Sequence, residues 1–382
     1  MCRGRKYAAR KTNILSNRSR RIYSEQIDGK TIVYDCGLWW NERKSKRAER
    51  LVKSAFPEKH VIDILFISHF DFDHVSLIPL LIDHYTVKSI VMPLLDPDDE
   101  IFLSKLYESL EEELGTNNQS SCISKLISNP QTFGSQNEGI QIFQISTEVA
   151  GNEEPVLIDN PNQSQTTLNS GTKIQLSGPV DWVWVPYNVD AKIRSPALFR
   201  QLSGLNLDLA KLKTDSDHFQ ENQASIRSAY AELDGNVNEN SLFLYSGPAK
   251  KASYHYSRTF FGHVLDNFRL HSFFDNRWFA AKPGCIYTGD GDFNITTLSD
   301  KFKNYWDSVG TIQIPHHGSR KSFNFGSIND APYLCPISVG VNNSYGHPAP
   351  SVISALLENS CYPVIVSEKS DSMLISIFRF RI

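Results

Sequence analysis

Apolar runs alternate along this chain with amphipathic segments, an order that predicts sheets covered by helices. Short apolar runs predict strands at 31–37, 61–67, 89–92, 241–245, 285–288, 311–314 and 336–340. Apolar residues at helical spacing predict helices over 41–56, 75–85, 101–114, 195–212 and 219–233. Hairpins are predicted for 173–176 with 182–185, ended by Pro186, and for 363–367 with 373–379. The chain is therefore predicted to be α+β.

Ionisable side chains follow the predicted strands where each strand ends. Asp35, the segment His69–His74, Asp290 and the pair His316–His317 come directly after apolar runs, and His347 follows a short loop. Because ligands gather in loops at the ends of such strands, these side chains are predicted to converge. Converging carboxylates and imidazoles are candidate metal ligands.

The densest cluster is His69-Phe70-Asp71-Phe72-Asp73-His74. On an extended turn His69 and Asp71 point to the same side. If a helix begins near Asp73, then Asp73 and His74 diverge and serve a second ion, roughly 3.5–4 Å from the first. The alternative is a helix N-terminus that Asp73 caps. A cap alone leaves the clustering of four ionisable groups unexplained.

This hexapeptide resembles the His-x-His-x-Asp-His signature of metallo-β-lactamase-fold hydrolases, with an aspartate at the second position. Later segments resemble, in the same order, the C-terminal domain of ComEC, the DNA-uptake channel protein; they are 240–244, 286–290, 314–319 and 338–348. The resemblance implies a four-layer αβ/βα metallo-β-lactamase-like sandwich. One domain over 1–382 is expected, with insertions at about 96–170, 187–237 and 246–284.

The resemblance also assigns roles to individual residues. The implied metal ligands are His69, Asp71, Asp73, His74, Asp290, His316, His317 and His347. Asp290 matches the aspartate that bridges two metals, and Asp73, His74 and Asp290 are the catalytic candidates. Asp35 matches a buried aspartate that supports the ligand loop by hydrogen bonds. Asn240 stands near the place where many relatives have a histidine, so it is a second supporting candidate.

Three assignments stay open at this point. Only one of His316 and His317 is expected to be a ligand, and the sequence does not distinguish them. His347, between Gly346 and Pro348, has a loop histidine as its alternative. Asp35 has a turn cap before Gly37 as its alternative.

The implied cofactors are two divalent metal ions, Zn or Mn, with Mg as a further candidate. Asp71 is a harder ligand than the imidazole it replaces, which favours Mn or Mg. The histidine missing near Asn240 predicts that one ion binds weakly. Such a centre would lower the pKa of a bound water, and Asp73 would orient or deprotonate that water.

Charge is distributed unevenly along the chain. Residues 1–60 hold 16 Lys/Arg against 6 Asp/Glu, although the net charge is −3. This pattern predicts a basic arm that contacts nucleic acid, with a solvated helix over 41–56 as the alternative. The segment 245–284 mixes cations with aromatics, which suits a strand-binding surface near the metal end. Its substrate-binding candidates are Lys250, Lys251, Tyr254 and Arg258, and an amphipathic helix over 260–274 is the alternative.

These features favour a metal-dependent nuclease or phosphodiesterase that acts on DNA. A small-molecule hydrolase for cyclic nucleotides or esters is the second hypothesis, and a binding scaffold without catalysis is the third. The insertions suggest a protein partner, and the resemblance suggests a role in a bacterial defence system. Six scattered cysteines without a C-x-x-C pair fit a reducing, cytoplasmic location. No apolar run approaches the roughly 18 residues of a membrane span, so no membrane contact is expected.

Overall fold

Two β-sheets face each other, and every described strand belongs to one of them. The computed structural model describes residues 7–15, 21–38, 46–113, 122–151, 154–160, 163–178, 181–189, 200–231, 241–250, 254–262, 282–328, 332–340, 346–367 and 373–381. The strands of the first sheet, in spatial order, are β12 (Tyr254–Gly262), β17 (Met373–Arg381), β1 (Tyr7–Leu15), β2 (Arg21–Ile27), β3 (Lys30–Gly37), β4 (Val61–Phe66), β5 (Thr86–Pro93), β6 (Gln141–Val149) and β8 (Thr167–Ser170).

The second sheet is mixed, like the first. Its strands in spatial order are β16 (Tyr362–Val366), β15 (Leu334–Ser338), β14 (Val309–Ile312), β13 (Gly284–Tyr287), β11 (Leu242–Pro248), β10 (Trp182–Asn188), β9 (Ile174–Gln175) and β7 (Val156–Leu157). Strands β13 to β16 run parallel, and β11 runs antiparallel to β13. In the first sheet β3, β4, β5, β6 and β8 run parallel.

Helices cover the outer faces of both sheets. They are α1 (Lys46–Ala55), α2 (Phe72–Val75), α3 (Ile78–His84), α4 (Pro97–Glu113), α5 (Cys122–Ser128), α6 (Pro130–Gln136), α7 (Leu209–Thr214), α8 (Ser216–Glu221), α9 (Gln223–Ala231), α10 (Leu298–Lys301) and α11 (Pro350–Glu358). Residues 200–204 are also helical, and short 3-10 turns lie at Trp306–Ser308, His316–Gly318 and Phe325–Ser327. Among the described residues, no helix has both the length and the apolar character that crossing a membrane requires.

Three buried clusters define the layers. Strand β11 shows the alternation clearly: Leu242 and Leu244 lie in the cluster between the sheets, whereas Phe243 and Tyr245 lie in the cluster under α10 and α11. The third cluster packs α1 to α6 against the other face of the first sheet. A period of two along a strand with both faces buried requires apolar residues at successive positions, as residues 242–245 of β11 have. The predicted four-layer α+β sandwich is confirmed.

The described part of the basic N-terminal segment is not an arm. Residues 7–15 and 21–37 form β1, β2 and β3 inside the first sheet, where β1 pairs with both β17 and β2. The predicted arm is therefore wrong for these residues, because backbone pairing with β17 incorporates β1 into the sheet. Helix α1 carries exposed Arg50 and Lys53 opposite buried Leu51 and Val52, which fits the solvated helix.

Two predicted hairpin features are also wrong. Strands β16 and β17 do not pair with each other, because β16 is the edge of the second sheet and β17 lies between β1 and β12 in the first. Strand β10 does not end at Pro186 but continues to Asn188, with Pro186 opposite Leu244 of β11. On the other side of β10, β9 pairs only at Trp184. Proline has no amide hydrogen to donate, and at Pro186 no residue of β9 stands opposite to accept one.

The ranges expected as insertions contribute to the sheets. Strands β6 and β8 fall within 96–170, and β12 falls within 246–284, where it pairs with β17. The alternative of a helix over 260–274 is wrong at its start, since β12 extends to Gly262; residues 263–281 lie outside the described ones. The two long helices predicted in 187–237 are instead several short ones, of which α8 begins at the cap Asp215.

The two sheets are joined by a buried hydrogen bond from the Tyr34 hydroxyl to the Leu242 carbonyl, 2.8 Å long. Burial, and then the nearby Asp35 carboxylate, raise the pKa of Tyr34 well above its ordinary value, so the hydroxyl stays protonated and donates. We expect Tyr34→Phe to lower the free energy of unfolding by about 1–3 kcal/mol, because it leaves a buried carbonyl unsatisfied. Urea denaturation measures this loss; an unchanged midpoint at constant m-value would contradict it.

Candidate metal centre

The ionisable side chains predicted to converge lie where strands of both sheets end at a common edge. Asp35 is near the end of β3, and His69 follows β4. Asp290 follows β13, and the pair His316–His317 follows β14. Because β11 is antiparallel to β13, its first residues reach the same edge, where the amide of Leu242 donates to the Ser68 carbonyl at 2.7 Å. The arrangement follows from strand direction alone.

A fully buried carboxylate organises the first half of the cluster. Asp35 Oδ1 accepts from the Ser68 amide at 2.7 Å, and its Oδ2 accepts from the Ser68 hydroxyl at 2.7 Å and from His74 Nδ1 at 2.7 Å. A buried carboxylate with three donors supports its neighbours and is not a solvated turn cap. Asp35 therefore lies where the predicted supporting role requires.

These contacts fix which nitrogen of each imidazole faces the cluster. His74 Nδ1 carries the proton that it donates to Asp35, and His69 Nδ1 lies 2.8 Å from the Ser68 hydroxyl, whose own proton goes to Asp35. Both Nε2 atoms therefore face the cluster, and in the neutral imidazoles they are acceptors that can bind a cation. The two rings lie 3.8 Å apart, centroid to centroid.

Carboxylate oxygens face these nitrogens beyond hydrogen-bonding distance. His69 Nε2 lies 3.8 Å from Asp71 Oδ2, while His74 Nε2 lies 3.6 Å from Asp290 Oδ1 and 4.0 Å from Asp73 Oδ2. One ligand atom from each of His69, His74 and Asp290 lies within 4.8 Å of the others. Acceptor atoms and negative charges gathered in this way repel one another unless a cation lies among them.

The turn between His69 and His74 aims its two aspartates at the cluster. Helix α2 has Asp71 at its N-cap, but the Asp71 side chain makes no capping hydrogen bond. Asp73 lies within the first turn, so the alternative in which Asp73 is the cap is wrong. Phe70 and Phe72 are buried beneath the turn, as expected, in the cluster that packs α1 to α6 against the first sheet, here called the helical core.

The two histidines after β14 face different carboxylates. His317 Nδ1 donates to the Ser338 carbonyl at 2.6 Å, and its Nε2 lies 4.0 Å from Asp73 Oδ2. His316 Nδ1 lies 3.9 Å from Asp290 Oδ2. The His347 ring stands 6.1 Å from that of His316, at the margin of the cluster. The structure thus gives His317 the better ligand geometry, with its tautomer fixed from behind.

His316 and His317 point in different directions because both have a left-handed backbone conformation. His316, His317 and Gly318 have φ values of 46°, 53° and 78°. Each non-glycine residue there costs roughly 1–2 kcal/mol, which the surrounding structure must offset. Hydrogen bonds from the Gly318 amide to the Pro315 carbonyl and from the Ser319 amide to the His316 carbonyl hold the turn.

The predicted substrate-binding residues do not gather at this edge. Lys250 follows Pro248, the last residue of β11, which lies roughly 23 Å from Ser241 at strand spacing. Tyr254 and Arg258 lie on β12, four strands from β3, or roughly 19 Å. The expected position near the metal end is therefore wrong for these three, because β12 joins the outer edge of the first sheet. Lys251 and Asn240 lie outside the described residues.

Several contributors carry no sequence signal that would have singled them out. Ser68 and Ser241 hold His69 Nδ1, at 2.8 and 3.3 Å, and the Asp290 amide donates to the Ser241 hydroxyl at 3.1 Å. Serine is too common after strands to stand out. Arg320 and Lys321, both exposed, are different, because their closeness to His317 in sequence could have pointed to them.

The donor set fits divalent metal ions. It combines imidazole nitrogens with carboxylate oxygens, the ligands of Zn, Mn and related ions. Ligand atoms around a tetrahedral zinc ion lie about 3.3–3.4 Å apart by the usual bond lengths. The observed separations of 3.6 to 4.0 Å are slightly wider, as expected for a cluster arranged to enclose cations.

Comparison with known proteins agrees with this site. Residues 25–159, which include β3, β4 and the ligand turn, match the model of the metallo-beta-lactamase superfamily. About a third of the chain, 135 of its 382 residues, is therefore similar to this superfamily. Its fold is the metallo-β-lactamase fold, and members of this superfamily are usually metal-dependent hydrolases.

Matches to individual proteins are distant. Among solved structures, the metallo-beta-lactamase fold protein YhfI from Bacillus subtilis matches with 12% identity and a TM-score of 0.18. That match covers 48% of this chain and 54% of YhfI, so the chain spans about half of that protein's length. A search of curated proteins gives no match.

The ligand turn passes so close to β3 that one residue there must be glycine. A Cβ on Gly37 would lie 2.2 Å from the carbonyl carbon of Asp73 and 2.5 Å from the amide nitrogen of His74. We expect Gly37→Ala to lower the free energy of unfolding by about 1–3 kcal/mol and to weaken metal binding, because backbone must move. Thermal unfolding and metal titration measure both effects.

The matched control is Gly178→Ala, since a Cβ on Gly178 meets no atom within 4 Å. Gly178→Ala should behave as wild type in both measurements. Equal metal affinity in the Gly37 and Gly178 variants would show that the turn does not depend on this close contact.

Proposed function

We propose that this protein is a metal-dependent phosphodiesterase that hydrolyses DNA. The observation that carries the hydrolase part is the convergence of His69 and His74, which follow β4, with Asp290, which follows β13 in the other sheet, within 4.8 Å. The superfamily match over 25–159 supports the same reaction type. The ordered motifs that resemble ComEC support DNA as the polymer.

The cluster divides into two metal positions in this proposal. His69, Asp71 and Asp290 would hold the first cation, and Asp73, His74 and His317 would hold the second. This division keeps His69 with Asp71, at 3.8 Å, and Asp73 with His317 and His74, each at 4.0 Å. Asp290, 3.6 Å from His74 Nε2, lies close enough to serve either position. When bound, two cations would lower the pKa of water and neutralise charge on a phosphoryl oxygen.

The protein's own groups then orient the reactants. Asp73, with its side chain 13% exposed, reaches the cluster from the accessible side and would accept the proton of the attacking water. His316 lies on the other side of Asp290 and is 15% exposed, so it can contact a phosphoryl oxygen. Asp35 keeps His74 in the tautomer that binds metal.

A cationic segment beside the cluster supports an anionic substrate. The turn of His316 and His317 continues into Arg320 and Lys321, which are exposed. The Lys321 carbonyl accepts from the Asn294 side chain at 2.6 Å, which anchors the segment next to the loop after Asp290. Cations at this place would bind phosphates that flank the scissile bond, replacing the role expected for Lys250 and Arg258.

The cleavage assay uses plasmid and single-stranded DNA with Mn, Mg or Zn, and compares wild type with Asp73→Asn and Asp290→Asn. Wild type should cleave, and each variant should lose at least about 100-fold, because a missing ligand removes charge stabilisation. Asp181→Asn is the control, since Asp181 precedes β10 at the far end of the sheet. Cleavage that persists in both site variants would refute the proposal, and hydrolysis of only cyclic nucleotides or esters would refute the substrate.

The cationic segment has its own test. We expect Arg320→Ala combined with Lys321→Ala to raise KM for DNA, to lower the steepness of its salt dependence and to leave metal affinity unchanged. Lys125→Ala on α5, also exposed, is the control and should change neither. A KM that stays at the wild-type value across salt concentrations would remove this segment from the substrate path.

A further inference from the structure

We infer that Tyr107 of α4 is a positioning residue for the first metal position, through the backbone of the ligand turn. Its hydroxyl donates a 2.6 Å hydrogen bond to the carbonyl of Phe70, and both residues are buried. Phe70 stands between His69 and Asp71, the two residues assigned to that position. The inference rests on the proposed metal-dependent function.

The contact satisfies a backbone group that the local structure leaves outside any ladder. Phe70 lies after β4 ends and before α2 begins, and a buried carbonyl in such a segment needs a donor from elsewhere. The Tyr107 hydroxyl is that donor, at the short end of normal hydrogen-bond length. With the Phe70 ring buried in the helical core, the peptide is held on two sides, by packing and by this bond.

Helix α4 is itself held from behind. Phe102 packs edge-on against Phe219 of α8 at 6.1 Å between ring centroids, and Lys105 Nζ donates to the Leu212 carbonyl at 3.4 Å. These contacts give the short helices of 200–231 a role as support for α4. Contacts thus connect α8 with α4, and Tyr107 of α4 with the ligand turn.

This route predicts unequal effects on the two metals. The Phe70 carbonyl is adjacent to His69 and Asp71, whereas His74 is fixed separately by Asp35 and His317 by the Ser338 carbonyl. Loss of the Tyr107 bond should therefore loosen the first position and leave the second nearly unchanged. A general loss of stability would affect both positions alike.

The experiment titrates the full-length, metal-free protein with Mn²⁺ in competition with a fluorescent chelator and resolves two affinities. Tyr107→Phe should weaken one of them by about 10–100-fold, the usual effect of removing a group behind a ligand. Tyr85→Phe is the matched control. Tyr85 is buried in the same core, and its hydroxyl donates to the Val52 and Phe56 carbonyls at 2.7 and 3.1 Å, away from the turn.

The outcomes separate this inference from the proposed function. Selective weakening of one affinity in Tyr107→Phe, with both unchanged in Tyr85→Phe, supports the inference. Equal weakening of both affinities, or no change, overturns it and leaves the hydrolase intact. A wild-type protein that binds no Mn²⁺, Mg²⁺ or Zn²⁺ would overturn both.

A second variant covers loss of folding in Tyr107→Phe, which thermal unfolding of the metal-free protein would show. Phe219→Leu loosens α8 on α4 without touching the hydroxyl, and it should weaken the same affinity by a smaller factor. A Phe219→Leu protein with wild-type affinity for both ions would overturn the route through α4.

Discussion

The site depends first on the burial of one charge, the Asp35 carboxylate. Its cost of removal from water is offset by three donors, two from Ser68 and one from His74. Those donors lie after β4 and in α2, so the carboxylate joins the ends of two parallel strands to the turn that follows them. The end of β4, the start of the turn and the orientation of the His74 ring therefore all depend on this one carboxylate.

The remaining ligands come from the second sheet, so the site exists only while the sheets keep their relative position. The Leu242 amide donates to Ser68, and the Leu242 carbonyl accepts from Tyr34, which fixes the start of β11 against the first sheet from both of its backbone groups. Ser241, the residue before Leu242, contacts His69 and accepts from the Asp290 amide. The site therefore requires both the apolar packing between the sheets and the hydrogen bonds at their common edge.

The convergence of ionisable side chains could be predicted because its signals are local: Asp35 lies near the end of β3, and four ionisable residues between His69 and His74 follow β4. Partner choice between strands is not local, and there prediction failed. Both β16 and β17 have apolar patterns that suit any sheet, and only long-range packing puts them in different ones. Similarly, the charge of residues 7–27 hid two strands, β1 and β2, because cations on a strand do not prevent its backbone from pairing. Tyr107 carries no motif at all; its role depends on a helix returning to the turn.

The position of β17 between β1 and β12 bears on how the molecule is assembled. During synthesis β1 and β2 emerge early, but one side of β1 keeps unpaired amides and carbonyls until residues 373–381 arrive. Such open strand edges favour pairing with other chains while they last. The edge of β1 stays unpaired for longer when translation is slower. Slow elongation or a shortage of chaperones should therefore cause more aggregation of this protein than of one whose neighbouring strands follow each other along the chain.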